Sequence, residues 1–164
     1  MHINQLREHV ARILADQKIQ VHPAKNSLDM AADSYHRSLK LAPIRNAGDY
    51  AVALHEIGHL QERPKPEDLA SDIRMLKLVG SVLPSPRQLG YETRAWEWAK
   101  ANALEWTREM ESALQLGLCS HLNANAEAAK RGFVAELPAD HPARKLAGNC
   151  KVALRRMEEI ANAS

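Results

Sequence analysis

Residues 55–59 read His-Glu-Ile-Gly-His, a pattern that joins two imidazoles and one carboxylate. In a helix, residues four apart lie about 40° apart around the axis, so His55 and His59 should point the same way. Zn²⁺ accepts such imidazole nitrogens at about 2.0–2.1 Å. Glu56 should project beside the metal, where it can take a proton from a zinc-bound water and pass it to a leaving amine. The pattern therefore predicts a zinc hydrolase that acts on amide bonds.

A catalytic zinc site also needs a third protein ligand and an open coordination position. We predict Glu92 as this ligand, because it should begin a long helix that can cross the first one and aim a carboxylate at the histidines. Four other residues stay open as alternatives: Glu97, Glu105, His121 and His141. The two histidines among them are more simply explained as exposed polar residues.

The motif needs a helix that is firmly held. Apolar residues recur at helical spacing from Asp49 to Leu60, and the segment Arg63-Pro64-Lys65-Pro66 should end that helix. A glycine inside a helix costs about 1 kcal/mol relative to alanine. Gly58 therefore indicates that a neighbouring element approaches this helix closely.

The rest of the pattern predicts a mainly helical α+β chain with a small sheet near the N-terminus. Helical spacing predicts further helices over residues 6–14, 67–79, 92–116, 120–131 and about 140–161, with Gly132 just beyond the fourth. Leu69, Ile73, Leu76 and Val79 should share one side of the 67–79 helix. Residues 18–23 and 34–41 alternate like strands, the second at a sheet edge. A loop should lead to residues 89–91.

Length and composition indicate one domain. The 164 residues should form a core over about 1–116 and a helical extension over about 117–164. No stretch resembles a membrane span and the N-terminus carries charges, so we expect a cytoplasmic protein with no membrane partner. Cys119 and Cys150 lack a CxxC spacing and should be buried, reduced thiols.

Two segments resemble one known family. Residues 54–60, Leu-His-Glu-Ile-Gly-His-Leu, look like the active-site helix of the ImmA/IrrE-like metallopeptidases. Residues 92–99 are similar to that family's second signature, Glu-x-Glu-Ala-Asn-x-Phe-Ala, whose first glutamate completes the zinc site. The resemblance spans residues 17–100 and implies a zincin-like domain with His55, His59 and Glu92 on zinc and Glu56 as base. It also implies that a peptide could add to the strand 37–41 as a further strand.

The chain departs from the family at identifiable places. Trp96 replaces the usual asparagine, Arg94 replaces an acidic residue, and the chain beyond about Leu116 has no counterpart. The resemblance is therefore to a divergent member.

Other residues allow more than one interpretation. Four side chains could stabilise an oxyanion, and the sequence does not choose among them: Tyr35, His36, Tyr50 and Tyr91. Trp96, Trp98 and Trp106 are best explained by core packing. Basic side chains at 130, 131, 144, 145, 151, 155 and 156 fit solvated helix faces better than a nucleic-acid surface, and the net charge of +2 is too small to decide.

The leading hypothesis is a zinc-dependent peptidase, and the family resemblance implies that its substrate is a protein such as a regulator. A rival is a catalytically silent zincin-fold module that binds a regulatory protein or nucleic acid. A third reading is hydrolysis of a non-peptide amide, because the same water activation serves any polarised carbonyl.

Overall fold

The computed structural model describes residues 2–63, 65–80, 82–153 and 155. It is mainly helical with a small sheet near the N-terminus, which confirms the α+β prediction. The described elements follow in chain order: α1 (Ile3–Asp16), β1 (Gln20–Pro23), a 3₁₀ turn (Ser27–Asp29), β2 (Ala31–Asp33), β3 (Ser38–Leu41), α2 (Ala47–His59), α3 (Pro66–Val79), α4 (Pro86–Asn102), α5 (Arg108–Lys130) and α6 (Pro142–Ala147). Every helix in the described ranges is too short or too polar to cross a membrane.

The chain forms two compact units, each built from two separate stretches. The first unit contains Met1–Arg63 and Arg94–Leu114, and the second contains Pro64–Thr93 and Gln115–Ser164. Helices α4 and α5 contribute residues to both units. The expectation of one domain, with a core over about 1–116 and an extension over about 117–164, stays a prediction.

The sheet of the first unit has the order β1-β3-β2. Strand β1 pairs parallel to β3, and β2 pairs antiparallel to β3 on its other side. The prediction that the strand ending at Leu41 lies at a sheet edge is therefore wrong. Strand β3 is paired along both edges. One edge pairs with β1, and the other pairs with β2, because residues 34–37 turn the chain after β2 and return β3 alongside it.

Helices α1 and α2 agree with the sequence predictions. Leu6, Val10 and Leu14 are buried along one face of α1, which contacts α2. Helix α2 begins two residues before Asp49, because the side chain of Asn46 accepts a hydrogen bond of 2.7 Å from the Asp49 N–H and caps the helix. The helix ends at His59.

Gly58 lies where α2 meets α4, as its position inside a helix predicted. A Cβ atom on Gly58 would lie 2.5 Å from the Ala95 carbonyl oxygen and 2.9 Å from the Ala95 Cα. The neighbouring atoms are backbone, so they cannot move aside as the end of a flexible side chain can. The two helices are therefore in main-chain contact at this point.

We expect Gly58→Ala to lower the free energy of unfolding by about 1–3 kcal/mol, because overpacking forces one helix to shift. Urea denaturation monitored by circular dichroism measures this loss. Gly48→Ala is the matched control, since a Cβ at Gly48 of the same helix would meet only side-chain atoms, at 3.3 Å and beyond. Equal stability of the two variants would contradict the close contact.

The predicted single helix over 92–116 is wrong. Helix α4 ends at Asn102, residues 103–107 are irregular, and α5 begins at Arg108. Two side-chain hydrogen bonds hold the irregular segment. The Tyr50 hydroxyl accepts the Leu104 N–H at 3.2 Å, and the Trp106 indole N–H donates to Glu111 at 2.5 Å.

Helix α4 also begins earlier than predicted, at Pro86, so residues 86–88, where a loop leading to residues 89–91 was predicted, are helical. Ser85 and Gln88 form a reciprocal capping pair at its start, each side chain accepting the other's backbone N–H at 3.3 Å. Glu92 consequently lies six residues into α4 and does not begin it.

Tyr50 links the interruption to α1. It is fully buried, and its hydroxyl lies 2.7 Å from Nδ1 of His9. Since the hydroxyl accepts the Leu104 N–H, its own hydrogen can be donated to His9, which requires an unprotonated Nδ1. Burial, and secondarily the nearby Arg12, hold the pKa of His9 below its usual 6.5.

This arrangement predicts a pH-dependent stability. As the pH falls below 6.5, the unfolded chain protonates His9 before the folded chain does, so the folded state loses stability. Above pH 6.5 His9 is neutral in both states and the contribution is constant. Urea denaturation between pH 5 and 8 with a chelator present should show a smaller acid loss for His9→Gln than for the wild type. Parallel curves would refute this role for His9.

In the second unit, α3 forms where predicted, but its apolar side is not buried. Leu69, Ile73 and Leu76 are 41%, 45% and 51% exposed. The two aspartates beside them are held by α4: Arg87 bridges Asp68 and Asp72, and the Tyr91 hydroxyl donates to Asp68 at 2.8 Å. Within the described part of this unit, polar side chains of α3 thus contact α4, while Leu69, Ile73 and Leu76 stay partly exposed.

The predicted helix over 120–131 is the second half of α5, and Gly132 follows it with a φ of 73°. The next predicted helix is interrupted. Helix α6 ends at Ala147, Gly148 takes a φ of 66°, and residues 150–153 are helical again. The predicted end near Ala161 lies outside the described residues.

Cys119 and Cys150 form a disulfide, so the prediction of two reduced thiols is wrong. Cys119 is fully buried on α5. Asn125 of α5 also holds two other segments of this unit, because its side chain donates to the carbonyls of Pro84 and Ala135 and accepts the Leu137 N–H. A covalent bond and a buried polar network thus hold the second unit together.

Candidate metal centre

The structure brings together the three residues of the sequence motif. One ligand atom from each of His55, Glu56 and His59 can be chosen so that all three lie within 4.8 Å of one another. The two imidazole centroids are 4.5 Å apart and their planes cross at 72°. His55 is 6% exposed, while His59 and Glu56 are half-buried. The group is therefore sheltered on one side and reachable on the other.

Glu56 is held by the edge strand β2. The backbone N–H of Ala32 donates to Oε2 of Glu56 at 2.9 Å, and Nδ1 of His55 lies 3.2 Å from Oε1. Both carboxylate oxygens therefore have a hydrogen-bonding neighbour. The carboxylate is oriented by main chain from the sheet, which limits its freedom to rotate.

The end of α2 is fastened to the turn after β2. The Ser34 hydroxyl donates to the His59 carbonyl at 2.8 Å, and the Arg37 guanidinium donates to the Leu60 carbonyl at 3.4 Å. Arg37 itself has a φ of 50°, the left-handed conformation that reverses the chain there. The turn thereby fixes the last turn of α2, which carries His59.

Trp96 covers the buried side of His55. Its indole stacks on the imidazole with centroids 4.2 Å apart and planes inclined by 19°. Trp96 is only 3% exposed. The main-chain contact between Gly58 and Ala95 brings this part of α4 against α2, which places the neighbouring indole beside the motif.

The candidates for a third ligand lie in different surroundings. Glu92 is in the second unit, where its carboxylate is 19% exposed and Oε1 lies 4.0 Å from Nε2 of His121. Its assignment to the metal stays a prediction. Glu97 and Glu105 are exposed, and neither belongs to the group formed by the motif.

The two histidines that were alternatives have local partners. His121 lies with Nδ1 2.9 Å from the Gly117 carbonyl, which can accept a hydrogen bond from it. His141 caps α6, because its Nδ1 accepts the Ala143 N–H. His141 therefore has a structural role at the start of this helix.

The oxyanion candidates can now be separated by their partners. Tyr50 is buried and hydrogen-bonded to His9 and Leu104, and the Tyr91 hydroxyl donates to Asp68. Tyr35 is 73% exposed, and His36 is paired with Asp33 at 2.7 Å. The last two follow β2 in the turn that is fastened to α2, so they stay candidates.

Several of the tryptophans and basic residues make contacts within the fold. Trp96 is in the core of the first unit, as the packing interpretation predicts, and Trp106 bonds to Glu111. The Arg144 guanidinium donates to the carbonyls of Pro138 and Leu137, and Lys130 pairs with Glu127. Arg156 lies outside the described residues.

Sequence reasoning missed two contributors to the site. Ala32 acts through its backbone N–H, for which no side-chain pattern exists. Trp96 did leave a signal, because it replaces the asparagine of the family signature within the predicted ligand helix. Its stacking on His55 was not predicted.

The donor set suits a divalent cation. Two imidazoles and a carboxylate are ligand types that Zn²⁺ accepts, and the adjoining helix and strand restrain them before any metal arrives. Comparisons with protein-family models, curated proteins and solved structures found no match to this chain.

Proposed function

We propose that the chain is a zinc-dependent peptidase. One observation carries the proposal: His55, Glu56 and His59 present ligand atoms within 4.8 Å of one another on a helix that is braced by a sheet edge and a second helix. When bound, Zn²⁺ would polarise a substrate carbonyl and lower the pKa of a water molecule. His55 and His59 would hold the ion through neutral imidazole nitrogens.

Glu56 would act as general base and then as general acid. Its carboxylate is half-buried and held by Ala32, so it can take the proton of the attacking water and deliver it to the leaving amine. This transfer turns a poor leaving group into a neutral amine. The class of reaction is amide hydrolysis in a peptide.

We keep Glu92 as the proposed third ligand. Within α4 it lies three residues before Ala95 and four before Trp96, and residues at these spacings share a helix face. Ala95 and Trp96 both contact α2. The proposal of a zincin-like, ImmA/IrrE-like domain rests on the same order of elements along the chain: a small sheet, then the motif helix, then the ligand helix.

A peptide substrate would use β2 rather than β3, since β3 is the middle strand. The Ala32 N–H of β2 points to Glu56, so the outer edge of this strand faces the base. A peptide added there as a fourth strand would pass beside the motif. Such a peptide could also accept the Ala32 N–H and release Oε2 of Glu56.

Metal analysis tests the proposal. Protein purified without chelator should contain zinc at a ratio of about one ion per chain and cleave unstructured peptides, whereas His59→Ala should lose both properties. His22→Ala is the control, because His22 is exposed on β1. Absence of zinc from the wild type, or equal zinc in His59→Ala, would refute the metal site.

One observation favours a second candidate, a silent binding module. Both oxygens of Glu56 already have neighbours, an arrangement that also suits a carboxylate used only to brace the fold. Such a module would retain its partner equally well after Glu56→Gln and would show no cleavage in either form. Zinc-dependent cleavage by the wild type would exclude it.

A further inference from the structure

Trp96 and His55 form a buried pair of stacked rings. The 4.2 Å separation and 19° inclination leave no room for water between them, and the residues are 3% and 6% exposed. The indole therefore supports one face of the imidazole. The His59 ring meets the same imidazole at 72°.

The position of the indole is set by packing. Ala95, its neighbour in sequence, is in main-chain contact with Gly58, so α4 cannot slide along α2 without a clash. The indole N–H is buried and has no hydrogen-bond acceptor among the described residues. A hydrogen bond from Trp96 is therefore not what fixes the ring there.

We propose that Trp96 is a positioning residue for the metal centre, one that holds the His55 imidazole in the orientation that presents a nitrogen to the ion. The inference rests on the proposed function. A histidine ring can turn about its last side-chain bond over a broad range of angles, and a flat aromatic surface against it restricts that rotation. Residues that orient metal ligands commonly act by hydrogen bonds, and their loss costs about 10–100-fold in metal affinity. In this protein the stacked indole of Trp96, rather than a hydrogen bond, orients the His55 imidazole.

Two substitutions separate stacking from hydrogen bonding. Trp96→Phe keeps a flat ring and removes only the N–H, so zinc affinity should stay within about twofold of the wild type. Trp96→Leu removes the flat surface, and zinc affinity should fall about tenfold, the lower end of the range for residues that orient ligands. Competition with a chromophoric chelator measures the affinity. Trp98→Leu on the same helix is the matched control and should bind zinc as the wild type does.

A spectroscopic measurement does not depend on the leucine variant folding. Co²⁺ bound at His55 would lie against the indole and quench its fluorescence, so titration of the wild type should lower the tryptophan emission. The quenching should be largely lost in Trp96→Phe and kept in Trp98→Phe. Equal quenching in both variants would overturn the proposal.

The two proposals fail differently. If the wild type binds neither zinc nor Co²⁺, the metal site itself is refuted. If the wild type binds zinc and a folded Trp96→Leu binds it equally well, the metal site stands and the positioning role of Trp96 is overturned.

Discussion

Replacing Glu56 by glutamine should lower peptide cleavage by about 10²–10⁴-fold while zinc stays bound. General acid–base catalysis by a positioned side chain contributes about this factor. Glutamine has nearly the same shape, and its carbonyl oxygen can still accept the Ala32 N–H that Glu56 accepts at 2.9 Å. The fold and the two imidazoles should therefore be unchanged, and only the proton transfer is lost.

The measurement is the initial rate of hydrolysis of a fluorogenic peptide at equal zinc content. Glu97→Gln on α4 is the matched control, because Glu97 is exposed and should leave the rate unchanged. A rate for Glu56→Gln within about threefold of the wild type would remove Glu56 from the mechanism. Loss of zinc from the variant would instead assign Glu56 a role in holding the metal.

Breaking the bond between Cys119 and Cys150 should destabilise the protein by about 3–4 kcal/mol. The two residues are 31 positions apart, and closing a loop of this length removes about that much free energy from the unfolded chain. Urea denaturation with and without a reducing agent should show the difference as a lower midpoint. The loss should be expressed most strongly in α5 and α6, whose chain the bond closes.

The double variant Cys119→Ala/Cys150→Ala is the control, because a reducing agent should have no further effect on it. Alkylation of the native protein followed by mass spectrometry provides a direct check. The wild type should take up no alkyl group unless it is first reduced. Two alkyl groups on the native, unreduced protein would show that the bond does not form.

The disulfide also bears on the predicted cytoplasmic location, which stays a prediction. Disulfides persist mainly in oxidising compartments, and reducing systems in the cytosol keep most thiols free. A buried sulfur such as Cys119 is protected from exchange, since a thiolate must reach it to react. The redox state of the two cysteines in protein taken from its native cells is therefore one test of the predicted location.

Local patterns predicted the elements that carry the motif. The spacing of apolar residues identified α1 and α2, and the cost of a glycine inside a helix predicted the close contact at Gly58. These inferences succeed because helix period and glycine geometry are properties of neighbouring residues. The grouping of His55, Glu56 and His59 follows from one turn of helix for the same reason.

The errors arose in two ways. The interruption after Asn102 contains neither proline nor glycine and depends on Tyr50, which is 54 positions from Leu104, so no local pattern reveals it. Strand β2 has three residues and is defined by its pairing with β3. By contrast, the Ser85–Gln88 pair at the start of α4 and Gly148 after α6 were signals present in the sequence that the predictions did not use.

The contact between Gly58 and Ala95 has a consequence for how the molecule assembles. The two residues are 37 positions apart, and all of α3 lies between them. Joining them closes a long loop. The conformational entropy of this loop must be lost before the contact contributes any stability. Helix α2 can form early from its own sequence, but the His55 imidazole gains the support of Trp96 only once the loop has closed. Under the proposed function, capture of a metal ion in its final geometry would therefore be a late step of folding.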